Sequence, residues 1–170
     1  KQETEKFFWQ SFCDNYLEIS KDRLYNPGQR GKDQKLSAQY CLYAGMLNCL
    51  KLMAPIIPHF TEEVYQHYFA AIEGKKSIHI SDWPQCFDTF INNDMESSGD
   101  LGIEVISAVR KYKADNNLSL KADLTEIKVT CKDSKKLKPF VDDIKSTARC
   151  STVTLIDAKD LNSVDIQIVG

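Results

Sequence analysis

The stretch Leu50–Phe69, LKLMAPIIPHFTEEVYQHYF, decides how the rest of the chain must pack. Leading into it, from Gln39 to Met53, nearly every position is apolar, and the main exceptions, Gly45, Asn48 and Lys51, fall three apart. That spacing gathers them into one narrow stripe, so the reading is a helix apolar almost all round, a buried central helix. Pro55 and Pro58 end it, because proline has no amide hydrogen and pushes the preceding residue out of the helical region. Thr61 is placed to cap the next helix, with Glu62 and Glu63 in its first turn, where the helix dipole favours carboxylates. A helix, a double-proline corner and a capped helix form the frame.

Upstream, Glu3 to Leu24 reads as a helix whose core face is Phe8, Phe12, Tyr16 and Ile19, with Asp14, Glu18 and Lys21 opposite. Tyr25–Lys35 (YNPGQRGKDQK) carries Pro, Gly and charge without periodicity and reads as a loop. Leu36–Met53 is the buried helix, and Thr61 to about Ile72 the capped one, ended near Gly74. Downstream, Lys75–Pro84 alternates in the manner of a short extended segment, with Trp83-Pro84 expected to plug the end of the bundle. Gln85–Gly99 is irregular. A fourth helix runs from about Asp100 to Asn116 on a stripe of Leu101, Val105, Ala108 or Val109, and Tyr112. After Asn116-Asn117 the rhythm changes: Thr125–Cys131, Ser151–Ile156 and Ser163–Val169 read as strands. Ser134–Ala148 reads as a helix, with Pro139 either in its first turn or breaking it. The expected fold is mainly α, a helical bundle over residues 1–120 followed by a small α+β appendage over 121–170.

At 170 residues and 42% hydrophobic, the chain can bury a core as one or two domains. A net charge of −2 gives no overall field for a polyanion. The charge is uneven, however: Ala54–Glu104 holds two basic and nine acidic residues, Val105–Cys150 eleven basic and six acidic. The last third is thus the better candidate for a phosphate-facing surface, against the ordinary reading of a solvated lysine face. The six cysteines form no C-x-x-C pair, which argues against a zinc knuckle and for a reducing, cytosolic setting without disulfides. His59, Glu62, Glu63 and His67 put ligand types on one helix, but their order fits neither H-E-x-x-H nor H-x-x-E-H, and no metal is expected. The start, KQETEKFFWQ, has no initiator methionine or signal pattern, and no run reaches membrane-spanning length. A start within an apparent helix suggests a piece of a longer protein.

The proline corner, L-K-L-M-A-P-I-I-P-H-F-T-E-E-V-Y, resembles the anticodon-binding bundle of class I aminoacyl-tRNA synthetases. F-W-Q-S-F-C-D-N-Y-L-E (Phe8–Glu18), K-L-S-A-Q-Y-C-L-Y (Lys35–Tyr43), S-I-H-I-S-D-W-P (Ser77–Pro84) and V-I-S-A-V-R-K-Y-K (Val105–Lys113) are similar, in order, to segments of the valyl-tRNA synthetase family in its archaeal form. The resemblance implies a parent that joins valine to its tRNA with ATP and Mg. The H-I-G-H and K-M-S-K-S type motifs of that chemistry are absent from this chain, so the piece is expected to be catalytically silent and to need no cofactor of its own. Its bundle is expected to lack upstream helices. The implied partners are the valine tRNA's anticodon arm and the rest of the synthetase chain, in a cytoplasmic, monomeric protein with no membrane contact.

The resemblance places the first helix beside the anticodon, making Asp14, Tyr16, Leu17 and Glu18 the first candidates for RNA contact, although Tyr16 falls on the Phe8–Phe12 stripe and reads as core. A carboxylate there has a chemical use: the valine anticodon ends in A-C, and cytosine's amino group donates to Glu or Asp. Leu17 or an aromatic would pack on the base. Lys21, Arg23, Arg30 and Lys32 are candidates for phosphates, as are Arg110 and Lys113, three apart on the fourth helix. Against these stand a solvated Asp14–Glu18–Lys21 stripe, a disordered loop and a salt-bridged surface. The rival functions are the same domain of an isoleucyl or leucyl enzyme, and a free-standing binding module on the same bundle.

Overall fold

The computed structural model describes residues 1–158 and 164–169. It is mainly helical with one small sheet, as expected. Two compact units emerge, Lys1–Asp88 and a second beginning at Thr89.

The first unit opens with α1 (Gln2–Lys6), a π-helical stretch (Phe7–Tyr16) and α2 (Leu17–Tyr25) in unbroken succession. The π stretch hydrogen-bonds five residues apart rather than four, and Asn15 Nδ2 repeats that span by donating to Gln10 O at 2.8 Å. Phe8, Phe12 and Tyr16 nevertheless stack along one side, with ring centroids 6.2 and 6.3 Å apart. The expected loop is shorter than its composition implies: α3 (Pro27–Arg30) is a helical turn, and α4 (Lys32–Met53) starts directly after Gly31, whose φ of 90° allows the sharp change of direction. α4 is not buried all round. Ala38, Leu47, Cys49 and Leu50 face inward, but Leu36, Tyr40 and Cys41 are exposed.

The corner forms as the prolines dictate, with one correction. α5 (Pro58–Tyr68) begins at Pro58, one turn before Thr61, because a proline at the first helical position has no amide to satisfy. Thr61 is therefore inside the helix and buried, its Oγ1 donating to Ile57 O and Pro58 O, both at 3.1 Å. Leu47, Leu50 and Ala54 then close on Tyr65, Phe69 and Ile78 as one core cluster, flanked by Tyr43 and Met46. After α6 (Ala70–Glu73), Ile78–Ile80 is a 3-10 turn rather than an extended segment. Glu62 causes it: its Oε2 accepts from Ser77 Oγ at 2.8 Å and Ile78 N at 3.0 Å, gathering the chain while Ile78 enters the core. Trp83 does not plug the bundle; it is 59% exposed.

In the second unit α7 (Asn93–Asp115) begins earlier than its apolar stripe, because Asn92 caps it, accepting from Met95 N at 3.0 Å. It ends where Asn117 turns left-handed (φ 54°), with Asn117 N and Leu118 N donating back to Ala114 O and Lys113 O. β1 (Leu124–Cys131) is central in the order β2-β1-β3, parallel to β2 (Cys150–Asp157) and antiparallel to β3 (Asp165–Val169). The expected strand start at Ser163 lies outside the described residues. A 3-10 turn (Ser134–Phe140) holds Pro139 and leads into α8 (Val141–Ala148), the crossover between the parallel strands. The sheet's inner residues Leu124, Ile127 and Val129 and the turn's Leu137 are buried, as are Ile144 of α8 and Val105 and Val109 of α7. α7, assigned by periodicity to the bundle, packs here against the 3-10 turn and α8.

Candidate nucleic-acid interface

The helical rod of the first unit carries the candidate site on the side away from its aromatic stack. Asp14 and Glu18 are exposed, and Leu17 beside them is 37% exposed, so an acid and an apolar surface sit together at the start of α2. Glu18 Oε1 accepts from Lys21 Nζ at 2.6 Å, one turn on. Both members are about half exposed, so the pair contributes little to stability and is free to exchange its partners for a ligand's. A base amino group would take Lys21's place on the carboxylate, and a phosphate would take Glu18's place on the ammonium.

The phosphate candidates divide. Lys21 and Lys32 are exposed, Lys32 at the first position of α4, while Arg23 is half-buried. Arg30 is a corner post instead. Its side chain is only 7% exposed, with Nη1 3.7 Å from Asp22 Oδ2 and Nε donating to Gln34 Oε1 at 3.0 Å. From α3, the short helical turn that the loop reading missed, it reaches Asp22 of α2 and Gln34 of α4.

Arg110 and Lys113 belong to the second unit. Arg110 is half-buried. Lys113 corrects the expectation: it is 2% exposed, and its Nζ donates to Leu120 O at 3.1 Å, Ala122 O at 2.7 Å and Ala148 O at 2.8 Å. Burial pushes its pKa down, and Arg149 adds to that. An ammonium satisfied by three carbonyls fastens the segment after α7 to the end of α8; it is not presented to a phosphate.

Sequence reasoning missed Trp9, 61% exposed, and Tyr25 and Tyr40, all solvent-facing aromatics of the first unit. Trp9 stands one residue off the Phe8–Phe12–Tyr16 stripe, a position from which its exposure was readable. Of the residues considered for a metal, Glu63 pairs with His67 at 2.9 Å and Glu62 serves the Ser77–Ile78 turn. Among the described residues no three His, Cys, Asp or Glu side chains gather to hold an ion. All six cysteines are free thiols, and no described helix is long and apolar enough to cross a membrane.

Comparison with known proteins places this geometry. Residues 2–129 match the family described as the anticodon-binding domain of tRNA ligase, a match that covers the whole candidate site and extends through α7 into β1. Among curated proteins, the chain is 36% identical over 157 residues to a valine–tRNA ligase of Methanothermobacter thermautotrophicus, covering 91% of this chain and 17% of that protein. It is 35% identical to the valine–tRNA ligase of Pyrococcus furiosus over 91% of this chain and 17% of that protein. With that of Rickettsia akari the identity is 44%, over 75% and 15%. The chain thus spans about a sixth of the length of the relatives it matches. With most of its residues inside the family match, the chain belongs to the anticodon-binding domain family of tRNA ligases.

Proposed function

We propose that this chain is the tRNA-holding part of a cytoplasmic valine–tRNA ligase, and that it grips the anticodon arm of the valine tRNA while contributing no chemistry itself. The observation that carries the reading is the family match over residues 2–129 with an exposed Asp14–Leu17–Glu18 surface inside it. Glu18 accepts the amino group of the anticodon's final cytosine, Leu17 packs against that base, and Lys21, released from Glu18, takes a phosphate. ATP and Mg belong to the parent's catalytic part. The residues here do not fit them, since neither the H-I-G-H nor the K-M-S-K-S type motif occurs in the 170 residues. The relatives' shared name supports valine over isoleucine or leucine as the amino acid.

The test is charging by the full-length parent. It should transfer valine, and not isoleucine or leucine, to its own tRNA, while the 170-residue chain alone transfers none. Glu18→Ala in the parent should narrow the gap in kcat/KM between normal tRNA and tRNA altered at the last anticodon base by roughly tenfold, the size of one bidentate base contact or less. An unchanged gap removes Glu18 as the reader, and charging with another amino acid removes the valine assignment.

A further inference from the structure

Residues 132–138 of the second unit read KDSKKLK, four lysines against Asp133. From Ser134 onward they form the 3-10 turn, in which side chains three apart eclipse, so Lys135 and Lys138 stand one above the other about 6 Å apart along the axis. Leu137 is fully buried and Ser134 nearly so, which fixes the turn with Lys135 and Lys138 exposed. Its start is pinned by Ser134 N donating to Asp157 Oδ1 at 2.8 Å. Bonds from Ser134 hold the Asp157 carboxyl below its usual range, and Lys135 and Lys138 add to the effect.

Asp157 and Asp133 offset only part of this charge. Among the described residues, none of Lys132, Lys135, Lys136 and Lys138 joins an ion pair. Eclipsed ammonium groups with no ion-pair partner among the described residues repel one another, and a polyanion relieves that repulsion. The turn exposes no large apolar side chain, so nothing on it would insert into a membrane or fill a protein pocket. Lysine is a point charge without the planar fork of arginine, suited to phosphates rather than base edges.

We propose that Lys132, Lys135 and Lys138 form a sequence-independent contact with the RNA phosphate backbone, separate in kind from base reading at Glu18. The proposal rests on the RNA-binding function above. The test is equilibrium binding of the 170-residue chain to a valine tRNA transcript and a non-cognate transcript across a salt series, with a urea midpoint confirming that each variant folds. Lys135→Gln/Lys138→Gln should reduce the log–log salt slope by about two and weaken both transcripts by the same factor. Lys111→Gln/Lys121→Gln, which removes two exposed lysines elsewhere, should leave slope and affinity as they are. Native binding with an unchanged slope in the Lys135/Lys138 variant overturns the ridge and leaves the anticodon reading standing. Equal losses in both double variants, or a loss confined to one transcript, also overturn it. No RNA binding by the native chain overturns this proposal and the function it rests on together.

Discussion

Glu62 and Glu73 show how single side chains hold the first unit. Burial pushes the Glu62 carboxyl up, but bonds from Gln66, Ser77 and the Ile78 amide outweigh it and hold the group below the ordinary value of 4.5. At Glu73 the bond from Tyr43 Oη, 2.6 Å, leads, and Lys51 at 3.2 Å assists against burial, again to a lowered value. Both folded-state values lie below the unfolded ones, so their stabilisation is present above about pH 4.5 and is lost as pH falls through the folded values. Denaturation at pH 7 and pH 3 should show native stability falling more steeply than that of Glu62→Gln/Glu73→Gln; parallel losses would mean other groups govern the acid limb. Lys113 makes a sharper case. Lys113→Met leaves the carbonyls of Leu120, Ala122 and the buried Ala148 without their donor and should cost about 1–3 kcal/mol in urea denaturation. Lys111→Met, at an exposed neighbour, should stay within about 0.5 kcal/mol.

At the scale of elements, Phe12 of the π stretch comes close against α4 at Gly45. A Cβ built on Gly45 would lie 2.6 Å from Phe12 Cε2, a buried ring with little room to move. Gly45→Ala should therefore destabilise by about 1–3 kcal/mol despite alanine's better helix propensity. Gly28→Ala in α3, where a Cβ meets nothing within 4 Å, should be neutral or stabilising by up to about 1 kcal/mol. Thermal or urea unfolding of the pair checks both, and equal effects would contradict the packing argument. Gly45 also shows what periodicity leaves out. Its place in a polar-looking stripe was legible, but the reason for it, an incoming phenyl ring, lies in another helix. The helices, the proline corner and the strands of the appendage were readable because burial imposes their periods. Thr61 misled because its capping chemistry is equally served one turn inside a helix that proline starts. Arg30 and Lys113 misled because a charged residue in sequence says nothing of the carbonyls or carboxylates that tertiary structure brings to it. The exposure of Glu18 was legible from its stripe, and its pairing with Lys21 is one that the three-residue spacing permits but does not fix.

For the whole molecule, a net charge of −2 conceals separate acidic and basic regions, so the RNA affinity proposed above would come from local groups rather than the overall field. Such binding is electrostatic in its phosphate contacts and chemical in its base contact, and salt separates the two. The most direct measurement is a titration of the 170-residue chain with a valine anticodon stem-loop and with the same loop changed at its final cytosine, each at two salt concentrations. The account predicts that both affinities fall as salt rises, and that the altered loop binds several-fold more weakly at either salt, with that preference reduced in Glu18→Ala. Equal affinity for the two loops, or affinity indifferent to salt, would contradict it.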